Sequence, residues 1–222
     1  TLLDVSQGHN VTAQQVKDAI REDTCLVTTM YANNEIGSVL PIPEIGAVCK
    51  EAGVPFHTDA VQAVGHIPVD VKKLNCDMLS ASAHKFGGPK GVGFLFAKDG
   101  IGIDQLIFGG KQEFGLRGGT ENILGIMSMA AALEDAVGHM EERNKHVKKL
   151  RDKMLDKLLQ IEGAHLNGSL ENRAVSNINI RFDGVSGSRL VTLCDLYGIC
   201  ISAGSACNEG EATPSRVLKA IW

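Results

Sequence analysis

The sequence predicts an α/β protein: a mainly parallel sheet with helices on both faces, followed by part of a small α+β domain. Short apolar or β-branched runs alternate with helical patterns through the first half of the chain. Polar motifs follow directly after several of these runs, as expected at the edge of such a sheet. Near Glu141 a small-residue helical pattern becomes strongly charged. We therefore predict a large domain at residues 1–141 and a small C-terminal domain at residues 142–222, both partial.

The elements of the first half follow from local signals. Thr12 and Gln15 have the spacing of a capping box, which predicts a helix start. Gly53 after an amphipathic stretch predicts a helix end. Apolar and β-branched runs predict strands. The expected helices cover residues 11–22 and 43–52, and the expected strands cover residues 25–31, 54–58, 76–82 and 92–97.

The second half begins with a continuous helical pattern from Glu121 to about Gln160. We expect strands at residues 175–182 and 199–202, with a helix at residues 188–197 between them. Thr213 and Pro214 have the residue types that start a final helix. This mixed order predicts the α+β character of the small domain.

Composition excludes several classes of protein. Hydrophobic residues make up 44% and charged residues 22% of 222 residues, which is ordinary for a globular protein. The net charge of −4 gives no reason to expect a nucleic acid or membrane partner, and no apolar run has the length of a membrane span. The six cysteines include no Cys-x2-Cys pair, so we expect a cytoplasmic protein without a disulfide framework or standard zinc motif.

The segment from Ser80 to Gly91 carries the first candidate site. Lys85 lies between two apolar runs among small residues, where desolvation can turn a lysine into a nucleophile or base. The alternative is an ordinary surface lysine on a glycine-rich turn. A phosphate-binding P-loop is excluded, because Lys90 is followed by Gly91 instead of Ser or Thr.

Asp59 is the second candidate. It follows an apolar run, and its βαβ-like spacing from Lys85 would place both residues at the ends of neighbouring parallel strands. An acid facing a Schiff-base lysine is what pyridoxal phosphate (PLP) requires, because the carboxylate keeps the pyridinium nitrogen protonated. Asp59 as a strand-end cap is the alternative.

Five motifs occur in order along the chain: Asn33-Asn34-Glu35-Ile36-Gly37, His57-Thr58-Asp59-Ala60-Val61-Gln62, Ser82-Ala83-His84-Lys85, Arg117-Gly118-Gly119-Thr120-Glu121-Asn122 and Ser202-Ala203-Gly204-Ser205-Ala206-Cys207. Together they resemble the cysteine desulfurases of the NifS/IscS type, in the class V aminotransferase-like group of fold-type I PLP enzymes. The resemblance implies conversion of L-cysteine to L-alanine, with the sulfur passed to Cys207 as a persulfide. It also implies a role in iron–sulfur cluster or thiolation pathways.

The resemblance implies a role for each site residue. The catalytic residues would be Lys85, His84 and Cys207. The cofactor-binding residues would be Lys85, Asp59, Gln62, Asn34, Ser82, His84 and Thr120. Asn34 and Gln62 would bind the phenolic oxygen of PLP, and Ser82 and His84 its phosphate. Thr120 would reach the phosphate in the other subunit of a homodimer, although it could also be a helix N-cap.

Other interpretations stay open at this point. Cys207 could be an unpaired loop cysteine, and His84 a core histidine. His57, Asp59 and His84 could bind a metal. The enzyme could instead be a selenocysteine lyase or another class V enzyme, and the chain could be an inactive fragment that binds a partner such as a scaffold protein.

The family's N-terminal phosphate-binding turn, its stacking histidine and its carboxylate-binding arginine have no counterpart in residues 1–222. We therefore expect these residues alone to form a poor catalyst.

Overall fold

The computed structural model of the chain describes residues 1–5, 10–203 and 215–221. It contains two compact units. The sheet unit consists of Ile20–Tyr31 and Pro41–Glu141, and the three-segment unit of Thr1–Ala19, Ala32–Leu40 and Glu142–Trp222. Two segments from the N-terminal part of the chain, Thr1–Ala19 and Ala32–Leu40, thus belong to the three-segment unit together with the C-terminal part. The units reflect packing alone, so the division into domains at residues 1–141 and 142–222 stays a prediction.

The sheet unit is built around four strands: β1 (Val27–Met30), β2 (Phe56–Asp59), β3 (Met78–Ser82) and β4 (Gly93–Ala97), hydrogen-bonded in that order. The pairs β1–β2 and β2–β3 are parallel, whereas β3–β4 is antiparallel. The sheet is therefore mixed and mostly parallel, as the sequence predicts. The order of its parallel strands brings the carboxyl ends of β2 and β3 to the same edge.

The two faces of this sheet differ in chemistry because successive side chains alternate between them. Phe56 and Leu79 are fully buried, together with Ile42 and Ile45 of helix α2 (Ile42–Ala52), which contacts β2. On the other face, His57 Nδ1 lies 2.8 Å from Thr28 Oγ1, and its Nε2 lies 3.2 Å from Ser80 Oγ. A polar row therefore crosses three strands on the face that carries Asp59.

Helix ends in both units follow the predicted local signals. Helix α1 (Ala13–Ala19) begins after Thr12, whose Oγ1 accepts from the N–H of Gln15 at 3.2 Å while Gln15 Oε1 accepts from the N–H of Thr12 at 2.9 Å. The predicted capping box is confirmed, although the helix ends three residues earlier than expected. Helix α2 ends at Gly53 in the left-handed conformation, as predicted.

The predicted long helix is interrupted. Helix α3 (Ile123–Gly138) ends in a glycine, and helix α4 (Met140–Leu158) begins after His139. Glycine is a poor helix residue, and the His139 N–H still bonds to the Asp135 carbonyl at 3.1 Å. Within the described residues, no single helix has the length and apolar composition of a membrane span; only α3 and α4 taken together across their bend would.

The three-segment unit contains a two-stranded antiparallel sheet of β5 (Ala164–Leu166) and β6 (Ile180–Phe182), with helices α5 (Gly187–Leu196) and α6 (Arg216–Ile221). The prediction missed β5 and made β6 too long. The predicted strand at residues 199–202 is wrong. The N–H of Ile199 donates to the carbonyl of Cys194 and so closes the C-terminal end of α5 instead of joining a sheet.

The cysteines in the first half lie in different environments. Cys49 and Cys76 are buried, and burial raises the pKa of the Cys49 thiol to about 11. The strand expected at residues 25–31 begins later than predicted, since Cys25 is exposed and precedes β1. Cys49 and Cys76 therefore have structural surroundings, not those of a reactive thiolate.

Candidate active site

Asp59 is the last residue of β2, a strand with a hydrogen-bonded neighbour on each side. Its carbonyl accepts from the N–H of Tyr31 at 2.8 Å, and the N–H of the next residue, Ala60, donates to the Ser80 carbonyl at 2.9 Å. The Asp59 carboxylate accepts from the N–H of Val61 at 2.9 Å. Main chain and carboxylate are both fixed, and Asp59 remains half-buried at the edge of the sheet.

The alternative reading of Asp59 as a strand-end cap also describes this geometry, because the carboxylate does bond to a main-chain N–H. One oxygen makes that contact. A carboxylate has further acceptor positions, so the cap leaves capacity for a ligand. Gln62, in the turn that follows, is also half-buried.

Lys85 closes a short 3-10 helix (Ala83–Lys85) that begins directly after β3. Ala83 is buried and anchors this turn: its N–H donates to the Val92 carbonyl at 3.1 Å, and its carbonyl accepts from Gly88 at 2.8 Å. The Lys85 side chain is half-buried. Since β2 and β3 are parallel neighbours, Asp59 and Lys85 lie at the same edge of the sheet, as the sequence predicts.

Ser82 and His84 lie beside Lys85 in the same turn. Ser82 Oγ is 2.8 Å from His84 Nδ1, and His84 is exposed. The alternative of a buried core histidine at His84 is therefore wrong. Two hydrogen-bonding groups so arranged could bind an anion, which is compatible with the phosphate role expected from the resemblance.

The alternative of a metal site at His57, Asp59 and His84 involves two histidines that already form hydrogen bonds. His57 bonds to Thr28 and Ser80, and His84 bonds to Ser82. Over residues 1–5, 10–203 and 215–221, no group of three or more His, Cys, Asp or Glu side chains could hold a metal ion.

Thr120 lies at the end of a glycine-rich loop in the sheet unit and is exposed. The loop is closed where Gly118 donates to the Ile107 carbonyl at 2.8 Å. The alternative of Thr120 as a helix N-cap is wrong, because Asn122 caps α3 by accepting from the N–H of Gly125 at 3.0 Å.

The structure does not test two of the predicted residues as members of this site. Asn34 is exposed on a loop of the three-segment unit. Cys207 lies outside the described residues. Their roles, like those of Asp59, Gln62, Ser82, His84, Lys85 and Thr120, stay predictions.

Sequence reasoning missed His66. Its Nε2 lies 2.8 Å from the carbonyl oxygen of Lys85, and so it fixes the main chain of the lysine from the turn after β2. The adjacent Gly65 has φ +80°, and a Cβ there would lie 2.7 Å from Phe86 Cβ. In the sequence, Gly65 and His66 are a glycine followed by a polar residue, and such a pair is common in turns.

We expect Gly65→Ala to lower the free energy of unfolding of the protein by about 2–5 kcal/mol. The reasons are the left-handed backbone, at about 1–2 kcal/mol, and the overlap with Phe86, at about 1–3 kcal/mol. Gly53→Ala is the matched control, because Gly53 has φ +67° but nothing within 4 Å of an added Cβ. Chemical denaturation measures both; equal losses would show that the contact with Phe86 has no energetic weight.

Comparisons with known proteins agree over nearly the whole chain. The family model described as "Aminotransferase class-V" matches residues 1–220. A cysteine desulfurase IscS of Methanosarcina thermophila is 48% identical over 220 residues, which are 99% of this chain and 54% of that protein. A mitochondrial cysteine desulfurase of Arabidopsis thaliana is 45% identical over 100% of this chain and 49% of its own length. The chain thus spans about half the length of these curated relatives.

Solved structures show the same fold. A protein described as NifS-like has a TM-score of 0.89 and 38% identity, over 99% of this chain and 57% of its own. DndA from Streptomyces lividans has a TM-score of 0.83 and 30% identity, over 99% of this chain and 62% of its own. The mixed, mostly parallel sheet is therefore that of the fold-type I PLP enzymes.

Proposed function

Because the chain belongs to the class-V aminotransferase family, we propose that it is part of a PLP-dependent cysteine desulfurase. The observation that carries the proposal is the placement of Asp59 and Lys85 after neighbouring parallel strands at one sheet edge. The names of the relatives, which are cysteine desulfurases, support the same conclusion.

The donor set at this edge fits PLP. Lys85 offers an amine for the cofactor's aldehyde, and Asp59 a carboxylate for its pyridine nitrogen. Gln62 offers an amide for the phenolic oxygen. Ser82 and His84 offer hydrogen-bonding groups 2.8 Å apart for the phosphate. Asn34 and Thr120 would add an amide and a hydroxyl, the latter from the second copy of a homodimer.

When bound, PLP supplies an electron sink for carbanion chemistry at the substrate's Cα. In this proposal Asp59 keeps the pyridine nitrogen protonated, and its fixed main chain holds that carboxylate in place. The Lys85 amine would hold the cofactor and, when free, would move the proton at the substrate's Cα. His84, next to Lys85 in the chain, is proposed to assist this movement of the Cα proton.

Cys207 is the proposed sulfur acceptor. Its thiolate attacks the sulfur atom of L-cysteine, the S–Cβ bond breaks with its electron pair left on the carbon side, and Cβ then takes up a proton. L-alanine leaves, and Cys207 holds the persulfide. The atoms balance, since L-cysteine and one thiol give L-alanine and one persulfide.

Two further features belong to the proposal. Leu106, Phe108 and Phe114 are more than four-fifths exposed, at 87%, 82% and 101%, on the segment that leads to Thr120. Such apolar surface favours association, so we propose a homodimer in which each Thr120 serves the other copy. We also propose a cytoplasmic location and onward sulfur transfer to an acceptor or iron–sulfur scaffold protein.

Borohydride reduction of the PLP-loaded, full-length enzyme tests the site. We expect peptide mapping to find the cofactor on Lys85. Lys90 is the internal control, because it is exposed on the same connection between β3 and β4. Cofactor fixed on Lys90 or another lysine would refute the assignment. A colourless protein that takes up no PLP would favour the partner-binding alternative.

A further inference from the structure

The loop that carries Asn34 is closed by its own hydrogen bonds. Asn33 Oδ1 accepts from the N–H groups of Glu35 and Ile36, both at 2.9 Å. The Asn33 carbonyl accepts from the N–H of Gly37 at 3.1 Å. Ile36 is buried, whereas Asn34 is exposed at the tip. The direction of the Asn34 amide therefore depends on how firmly this turn is held.

A second segment of the same unit, residues 167–179, holds the turn from outside. Asn177 Nδ2 donates to the Glu35 carbonyl at 2.8 Å, and Asn179 Nδ2 donates to the same oxygen at 3.1 Å. The N–H of Ala174 donates to the Gly37 carbonyl at 2.8 Å. The main chain on the C-terminal side of Asn34 is thus bonded at two points, the carbonyls of Glu35 and Gly37.

Asn177 also fits closely against Gly37. Gly37 has φ +70°, and a Cβ there would lie 2.6 Å from Asn177 Cβ and 2.7 Å from its Oδ1. Only glycine allows this approach, so Asn177 holds the turn by shape as well as by its hydrogen bond.

Arg173 in turn orients Asn177. Its guanidinium is buried, with 7% of the residue exposed, and donates to Asn177 Oδ1 at 2.6 Å. It also donates to the carbonyls of Ser169, at 2.9 Å, and Asn167. Because the Asn177 oxygen is occupied by a guanidinium donor, its amide nitrogen must face the Glu35 carbonyl. Burial lowers the pKa of Arg173 to about 10, which still leaves it charged at neutral pH.

We propose that Arg173 and Asn177 are positioning residues that fix the Asn33–Gly37 turn and thereby set the direction of the Asn34 amide, the group proposed above to bind the phenolic oxygen of PLP. The inference rests on the proposed function. A hydrogen bond from an amide weakens steeply when its distance or angle changes, so a loosened turn costs Asn34 its contact even if the fold survives.

The test uses the PLP-loaded, full-length enzyme. The readout is the pH at which the absorbance of the bound cofactor changes, with kcat and KM for L-cysteine measured beside it. We expect Asn177→Ala to shift that pH by about one unit, in the same direction as Asn34→Ala. Glu171→Ala is the matched control on the same segment, since Glu171 is exposed; we expect no shift from it.

A double-mutant cycle separates positioning from general destabilisation. If Asn177 acts through Asn34, the Asn34→Ala/Asn177→Ala variant shifts no further than Asn34→Ala alone. Additive shifts, or an Asn177→Ala enzyme with a lower melting temperature and unchanged absorbance, would overturn the inference. Arg173→Lys is the second variant, for the case in which Asn177→Ala does not fold. Lysine keeps the positive charge but loses the several N–H donors of the guanidinium group. We expect a smaller shift of the same sign. No shift in a folded Arg173→Lys enzyme would also overturn it.

The outcomes also separate this inference from the proposed function. A wild-type protein without cofactor absorbance would refute both the inference and the proposed function. If the pH of the absorbance change shifts in Asn34→Ala but not in Asn177→Ala, only the role of Arg173 and Asn177 is refuted. Absorbance that responds to neither overturns the role of Asn34 and the inference, and leaves the lysine assignment standing.

Discussion

Lys85→Ala is expected to reduce sulfide release from L-cysteine by at least about 10³-fold in the full-length enzyme. In the proposed function the variant loses both the covalent attachment of PLP and the amine that moves the Cα proton. Positioned proton transfer alone is commonly worth about 10²–10⁴-fold. The structure gives no neighbouring lysine in the 3-10 turn that could take its place. Sulfide and alanine are both quantified, so that a slow uncoupled reaction is visible.

Lys90→Ala serves as the matched control for Lys85→Ala. Lys90 is exposed, lies on the same connection and has no role in the proposed chemistry. We expect activity within about twofold of wild type and an unchanged melting temperature, as for most surface substitutions. A Lys85→Ala enzyme that retains more than a tenth of the wild-type rate would refute the catalytic role.

Cys207→Ser is expected to abolish sulfide release while the absorbance of bound PLP stays. A thiolate is the nucleophile in sulfur chemistry, and a serine hydroxyl cannot replace it at neutral pH. We expect mass spectrometry of the wild-type enzyme after one turnover to detect the persulfide on Cys207. The same variant separates the alternatives, because a selenocysteine lyase would keep its activity on selenocysteine without this thiol.

Cys200→Ser is the control for Cys207→Ser. Cys200 is exposed and lies close to Cys207 in the chain, so it tests whether any accessible thiol of this region accepts sulfur. We expect wild-type activity from it. Loss of activity in Cys200→Ser together with full activity in Cys207→Ser would move the acceptor role to Cys200.

Sequence prediction worked where a signal is local. Thr12 with Gln15 predicted a capping box, and Gly53 predicted a left-handed helix end; both act within a few residues. The edge position of Asp59 and Lys85 followed from strand alternation, which sets topology without any side-chain contact. The strand prediction at residues 199–202 failed because the first residue of this apolar run bonds back to the helix end, where the N–H of Ile199 donates to the Cys194 carbonyl.

The supporting residues could not be predicted, because their partners are far away in sequence. Nothing around Asn177 in the chain indicates that its amide meets the Glu35 carbonyl. His66 reads as an ordinary turn residue until its contact with the Lys85 carbonyl is known. The motifs identify the groups that would contact the cofactor, whereas the residues that hold those groups depend on tertiary contacts.

The three-segment unit has a consequence for the order of events during synthesis. Strands β1 to β4 pair with their successive neighbours along the chain, so Asp59 and Lys85 can come together from nearby segments. The turn of Asn34 obtains its hydrogen-bond partners only from much later parts of the chain. Asn177 and Asn179 lie 142 and 144 residues after Glu35. Ser215 donates to the Glu35 carboxylate and lies 180 residues after it. Contacts of such separation carry a loop-closure cost and form slowly. If Asn34 binds the cofactor as proposed, this part of the site is completed late, after residue 215 has been synthesised.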